Sequence, residues 1–367
     1  MRHPRPGSTR SLTGTEYSPD AHPRYQSPRE GVRMTSYAVV IPTLVRDTLA
    51  DCLAALAAAN GPRPDEIVLV DDRPEVPPGP DAMGHALSVL GDLRGRTTVR
   101  AGGGHGPAAA RNTGVRAVTA PWVAFLDDDV QVGPHWCAEL VRDLKEASPD
   151  TAGVQGVISV PLPEGRRPND WERGTAGLSR ARWITADMAY RTEALTQVGG
   201  FDERFRRPYR EDADLALRLL DAGWRIRRGH RTTLHPVRPA SRWASLSRQR
   251  GHADDALMRR LHGPDWWDKA VAPRGRIRRH AAITAAGAAA CVLGATGHRR
   301  AAGVCALGWA AGTAEFARSR IAPGPRTREE VTTMLATSVV IPPAATWHRL
   351  AGAWRHRNAP AWQETAR

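Results

Sequence analysis

Short apolar segments alternate with helical segments through the first half of the chain, and this alternation constrains the fold most. The segments 38–41, 66–70 and 122–126 are short and largely apolar, which is typical of strands buried on both faces. Apolar residues recur at helical spacing in 48–59, and a further helical segment covers 108–117. Strands that alternate with helices predict an α/β fold, with a mostly parallel sheet and helices on both faces.

Acidic residues follow two of these strands directly. Asp71 and Asp72 follow the second apolar segment, and Asp127, Asp128 and Asp129 follow the third. In open α/β sheets, ligands bind at the carboxyl ends of the strands. Aspartate is also common in turns, so either cluster alone is weak evidence. Together they predict a binding site at this edge of the sheet.

Two later features extend the acidic pattern. Glu211 and Asp212 open an amphipathic helix over 211–223, and His235 follows Asp212 by 23 residues. Carboxylates that are brought together repel one another, and a divalent cation relieves that repulsion. Carboxylate oxygens suit Mg²⁺ or Mn²⁺, and an imidazole favours Mn²⁺. We therefore expect Mn²⁺ or Mg²⁺ as cofactor.

The chain divides into three parts by composition. Residues 1–36 are rich in Pro, Arg, Ser and Gly, which predicts a disordered basic leader. Met34 stands just before the first strand and is an alternative translation start. The α/β domain is expected over 37–270, and a helical extension over 271–367.

The helical extension contains three segments without a charged residue. Segments 281–297 and 331–347 have 17 residues each, segment 301–314 has 14, and Pro342-Pro343 interrupts the last segment in the chain. A spanning helix needs about 20 apolar residues. The pattern therefore favours a helical hairpin on, or dipped into, the cytoplasmic face of the membrane. An Ala-rich soluble extension is the alternative.

The charge balance favours partners that carry phosphate. Lys and Arg together number 52 against 38 acidic residues, a formal charge of +14, and only Lys145 and Lys269 are lysines. Such a surface suits nucleotides, nucleic acids or anionic lipids. No nucleic-acid-binding motif accompanies the charge, and the arginines are densest near the tail. We expect contact with an anionic membrane surface and no nucleic acid; a nucleic-acid-binding protein is the alternative from another class.

Five motifs occur in a characteristic order, and together they resemble family 2 glycosyltransferases of the GT-A fold. The resemblance covers about residues 37–243. The motifs are Asp71-Asp72, Arg111-Asn112, Phe125-Leu126-Asp127-Asp128-Asp129, Gly199-Gly200-Phe201-Asp202-Glu203 and Glu211-Asp212-Ala213-Asp214-Leu215.

The resemblance implies a Rossmann-like GT-A domain that binds a nucleoside-diphosphate sugar. The nucleotide side of the site then comprises Pro42, Thr43, Asp71, Asp72, Arg111 and Asn112. The implied metal ligands are Asp127, Asp129 and His235. Donor contacts are further implied for Asp128, Asp187 and Glu211. Asp212 is the implied catalytic base.

The implied reaction is a single displacement with inversion at the anomeric carbon. A metal stabilises the charge on the departing phosphate, and a carboxylate accepts the proton of the attacking hydroxyl. Arg242-Trp243 lacks the glutamine of the Gln-x-x-Arg-Trp signature of processive synthases, which favours transfer of one sugar. The expected acceptor is a hydroxyl of a lipid-linked or polymeric glycan in cell-envelope synthesis. A metal-dependent nucleotidyltransferase is the alternative, although 42–46 is not a phosphate-binding loop.

Overall fold

A computed structural model describes residues 35–75 and 83–362. These residues belong to one compact unit that begins at Met34. The predicted basic leader, residues 1–36, lies outside the described residues except for its last two positions, and so does Met34.

The chain forms eight strands and thirteen α-helices in the described residues. The strands are β1 (Tyr37–Thr43), β2 (Glu66–Asp71), β3 (Thr97–Ala101), β4 (Trp122–Leu126), β5 (Gln131–Val132), β6 (Thr151–Ser159), β7 (Asp187–Arg191) and β8 (Arg225–Leu234). The first ten helices are α1 (Thr48–Ala58), α2 (Gly84–Ser88), α3 (Pro107–Arg116), α4 (Trp136–Lys145), α5 (Asp170–Ala176), α6 (Thr192–Gln197), α7 (Glu211–Asp221), α8 (Ala244–Ser247), α9 (His252–His262) and α10 (Trp266–Lys269). The last three are α11 (Ile277–Ala295), α12 (Arg299–Ile321) and α13 (Arg328–Arg355).

All eight strands form one mixed sheet in the order β3-β2-β1-β4-β7-β6-β8-β5. The half formed by β3, β2, β1 and β4 is parallel, and β7 runs antiparallel between β4 and β6. The predicted α/β fold is confirmed, with a parallel half-sheet formed by the first four strands along the chain. Thr43 pairs with Asp71 in register, so the carboxyl ends of β1 and β2 lie side by side and next to that of β4.

Strand β1 is buried on both faces, as its apolar run predicts. Val39 and Ile41 pack into the core on one side of the sheet, under α1 and α4, whereas Ala38 and Val40 pack into the core on the other side. Helix α3 lies very close to this second face, because a Cβ on Gly114 would lie 2.2 Å from Val40 Cγ1. That close packing sets the position of every other side chain on α3.

The C-terminal region is helical, as predicted. Helices α11 and α12 form a hairpin in which Gly287 faces Trp309. Pro342 and Pro343 do not end α13, which continues through both residues. Their missing N–H groups leave the carbonyls one turn earlier without helical partners, and α13 packs against α9 and α11. None of the helices in residues 35–75 and 83–362 combines the length and apolarity that a bilayer crossing requires.

Candidate active site

The three consecutive aspartates after β4 each form an ion pair with a different arginine. The nitrogen–oxygen distances are 2.8–2.9 Å, and each arginine comes from a different part of the fold. The pairs are Asp127 with Arg111, Asp128 with Arg46, and Asp129 with Arg238. Arg46 and Arg238 lie in loops and carry no sequence motif, so the sequence analysis missed them.

Two of these aspartates and His235 form a group that suits a divalent cation. One ligand atom from each of Asp127, Asp129 and His235 lies within 4.8 Å of the others. His235 Nδ1 lies 3.2 Å from the carbonyl oxygen of Pro236. When Nδ1 donates a proton there, Nε2 carries its lone pair toward Asp129, 3.7 Å away. Two carboxylates and one imidazole fit Mn²⁺ and also accept Mg²⁺.

The environment of Asp129 shows why a cation would be favourable here. Burial raises the pKa of this carboxyl, and the neighbouring Asp127 raises it further, while His235 and Arg238 oppose the shift. A bound cation would remove the repulsion between the two carboxylates. Asp127 remains about 30% exposed, so the ligand group opens toward the solvent.

Arg111 connects the metal-ligand group to the start of α7. Its guanidinium is 2% exposed and lies 2.9 Å from both Asp127 and Glu211. Burial and the adjacent Asp212 raise the pKa of Glu211 to about 8, although Arg111 opposes this shift. Burial also raises the pKa of Asp212, whose carboxylate accepts a hydrogen bond from the Ala213 N–H. A carboxylate with a raised pKa accepts a proton more readily, which suits a general base.

We expect Glu211 to reduce the free energy of unfolding as pH rises. Its pKa is about 8 when folded against 4.5 for the free group, so the folded protein retains a proton that the unfolded chain has lost. Between these two pH values, stability therefore falls with increasing pH. The Glu211→Gln variant should show a shallower fall over this window in urea unfolding at several pH values. An unchanged slope would show that Glu211 is ionised in the folded protein.

The predicted nucleotide side of the site lies at the ends of β1 and β2. The Thr43 hydroxyl donates to Asp128 at 2.7 Å, which ties β1 to the acidic loop after β4, and Pro42 precedes it on β1. Asp71 is paired with Arg73 at 2.6 Å. Asp72 accepts hydrogen bonds from the backbone N–H groups that lead into α3, those of His105 and Gly106.

Asn112 contacts a protein loop on both sides of its amide. Its Nδ2 donates to the carbonyl oxygen of Phe201 and to Glu203, and its Oδ1 accepts from the Phe201 N–H. A Cβ on Gly200 would lie 2.6 Å from this Oδ1. Asn112 therefore positions the Gly-Gly-Phe-Asp-Glu loop, residues 199–203. Its amide was expected to lie beside the nucleotide, and in the structure it forms hydrogen bonds with this loop.

Asp187 lies in the interior, contrary to the expectation that it faces the donor sugar. It is 0% exposed. Its carboxylate accepts hydrogen bonds from Arg231 at 2.7 Å, Thr233 at 2.6 Å and the Trp136 indole at 2.8 Å. Asp187 lies on β7, opposite Leu126, and forms a fully buried ion pair with Arg231. A buried guanidinium is stable only with such a counter-charge.

The site thus combines carboxylates from distant parts of the chain. Contacts run from Asp72 through Thr43 to Asp128, and from Asp127 through Arg111 to the start of α7. Residues 38–207 match the family model described as glycosyl transferase family 2. The chain contains a family 2 glycosyltransferase domain. The matched range of this domain includes the acidic loop after β4 and ends before Asp212 and His235.

Two named relatives are similar to part of this chain. One is the pre-mycofactocin glycosyltransferase of Mycobacterium tuberculosis, 32% identical over 224 residues, which are 56% of this chain and 43% of the relative. The other is the validoxylamine A glucosyltransferase of Streptomyces hygroscopicus subsp. limoneus, 28% identical over 218 residues, which are 50% and 47% of the two chains. The match thus spans less than half the length of these relatives.

Among solved structures, the mannosyltransferase PcManGT from Pyrobaculum calidifontis, in complex with GDP-Man and Mn²⁺, aligns with 87% of this chain and 86% of its own. The sequence identity is 17% and the TM-score 0.47.

Proposed function

We propose that this protein is a metal-dependent glycosyltransferase that moves one sugar from a nucleoside diphosphate to an acceptor hydroxyl, with inversion. The observation that carries the proposal is the contact of Arg111 with both Asp127 of the metal-ligand group and Glu211 beside Asp212. This contact supports the proposal because it links the cation-binding group to the residue next to the candidate base.

In this proposal, Asp127, Asp129 and His235 bind Mn²⁺ or Mg²⁺, and Thr43 and Asp72 lie on the nucleotide side. The bound cation would neutralise charge on the departing diphosphate. Arg238 lies beside the ligand group, paired with Asp129. Its guanidinium adds a second positive charge and can donate hydrogen bonds to the oxygens of a diphosphate.

Asp212 is proposed as the base that accepts the acceptor's proton. Its carboxylate is half-buried at the first turn of α7, where it accepts the Ala213 N–H and so is held in one orientation. Asp212 then accepts the proton, whereas the metal ligands and Arg238 lie on the side of the departing diphosphate. A single inverting displacement requires this separation of roles.

For the acceptor, we propose a lipid-linked or polymeric glycan of the cell envelope, reached from the cytoplasmic face of the membrane. The basic and apolar C-terminal helices support this choice. The relatives' names instead specify single compounds, pre-mycofactocin and validoxylamine A. An assay that offers both kinds of acceptor decides between them.

Thermal unfolding with UDP, GDP and dTDP, each with Mn²⁺ or with EDTA, tests donor and metal binding together. We expect one nucleotide to raise the melting temperature only when the metal is present; at 100 times the Kd, the stabilisation is about 2.7 kcal/mol. EDTA should also abolish sugar transfer from the matching donor, and Mn²⁺ should restore it.

Two histidine variants sharpen this test. His235→Ala should lose the metal-dependent shift, whereas His298→Ala, an exposed residue between α11 and α12, should retain it. An equal shift in EDTA, or a normal metal-dependent shift in His235→Ala, would contradict the ligand assignment.

A further inference from the structure

The outward face of α13 is apolar along five helical turns. Between residues 335 and 354, every exposed position carries an apolar side chain. We call these nine residues the α13 face: Leu335, Ala336, Val339, Val340, Pro343, Trp347, Leu350, Ala353 and Trp354. They fall within about 140° of the helix circumference and extend for about 29 Å. Trp347, Leu350 and Trp354 are 67%, 63% and 69% exposed.

Two polar residues in the middle of α13 point inward, which is the reverse of an ordinary surface helix. Thr337 and Ser338 are fully buried, and the guanidinium of Arg320 on α12 donates to both hydroxyls at 2.7 and 3.1 Å. Near the other end, a Cβ on Gly352 would lie 2.5 Å from Ala253 Cα. These contacts fix the rotation of the helix, so the apolar side cannot turn into the core.

The end of the α11–α12 hairpin also exposes apolar side chains. Among residues 288–308, no position is buried, and the segment is rich in Ala and Gly. Val292, Val304 and Leu307 are among the most exposed large apolar residues of the described chain. A second apolar surface is therefore exposed in the same helical region.

The charge of this region favours an anionic partner for these surfaces. Residues 271–362 contain thirteen arginines, no lysine and only three acidic residues, a formal charge of +10 out of +14 for the chain. Arg355 and Arg357 adjoin the end of the α13 face, and the Arg357 guanidinium lies 4.5 Å from the Trp354 ring centroid. A second copy of the chain would bring like charges together, whereas an anionic lipid surface is complementary.

We propose that the α13 face lies on an anionic phospholipid bilayer, with the hairpin end beside it. The apolar side chains enter the outer part of the acyl region and the arginines pair with lipid phosphates. Tryptophan favours this boundary, because its ring is apolar and its N–H is polar. The sequence pattern favoured a hairpin on, or dipped into, the membrane face; this proposal adds α13 as a helix that lies along the surface.

Co-sedimentation with vesicles tests this surface in the full-length protein. One set of vesicles is phosphatidylcholine alone, and the other is an equal mixture with phosphatidylglycerol. We expect binding to the mixed vesicles, release at high salt, and at least a tenfold loss of binding in the triple variant Trp347→Ser, Leu350→Ser, Trp354→Ser. The matched control is Leu162→Ser with Trp243→Ser, which removes exposed apolar residues outside α13 and should bind normally.

Three outcomes would overturn the proposal. They are no binding of the parent protein to the mixed vesicles, equal binding of the triple variant and the control, or a dimer in sedimentation velocity that only the triple variant abolishes. Nucleotide binding with Mn²⁺ is measured on the same samples. If it persists when vesicle binding is lost, the surface and the proposed active site are separate, and a failure of one does not imply a failure of the other.

Discussion

The Asp212→Asn variant is expected to lose at least about 100-fold in turnover, the scale of a removed general base. The amide has nearly the shape of the carboxylate, and its oxygen can still accept the Ala213 N–H. It cannot take a proton from the acceptor hydroxyl. Donor binding depends on other residues, so the Kd for the nucleotide with Mn²⁺ should stay near that of the parent protein. Steady-state transfer and calorimetric titration measure the two quantities.

Asp221→Asn is the matched control for this experiment. Asp221 ends the same helix and is exposed, so the same chemical change there should leave turnover unaltered. If Asp212→Asn retains turnover, Asp212 is not the base. If nucleotide binding is lost together with turnover, Asp212 belongs to the donor side of the cleft.

The Asp187→Ala variant should lose about 3–5 kcal/mol of stability, the usual cost of removing one partner of a buried ion pair. The loss leaves Arg231, which is 0% exposed, with Asp143 at 3.1 Å as its one remaining counter-charge among the described residues. It also removes the acceptor for the Trp136 indole and the Thr233 hydroxyl. Urea unfolding of the parent and the variant measures the difference.

Asp150→Ala serves as the comparison, because its pair with Arg225 is exposed on both sides. Such pairs contribute about 0–1 kcal/mol, so this variant should unfold almost like the parent. A stable Asp187→Ala protein that no longer binds the nucleotide sugar would restore the donor-facing role that the motif resemblance implied for Asp187.

Local pattern predicted the elements of the α/β domain closely. The segment 48–59 became α1 over Thr48–Ala58, and 211–223 became α7 over Glu211–Asp221. The spacing of apolar residues shows which side of a helix or strand is buried. This local information is enough to predict whether a segment forms a helix or a strand. The sequence showed only that Pro342-Pro343 interrupts an uncharged segment; in the structure α13 continues through both prolines and packs against α9 and α11.

The order of the acidic clusters and their positions after strands were sufficient to predict that acidic residues gather at the carboxyl edge of the parallel half of the sheet; a metal-assisted site there stays a prediction. The prediction was possible because strand polarity brings those ends together whatever the loops do. Only the tertiary structure decided which charges meet: Arg46 and Arg238 pair with the acidic loop, Asp187 pairs internally with Arg231, and α13 turns its apolar side outward. These pairings and the orientation of α13 depend on which charged and apolar groups from distant parts of the chain come into contact when it packs. The local periodicity of the sequence does not contain that information.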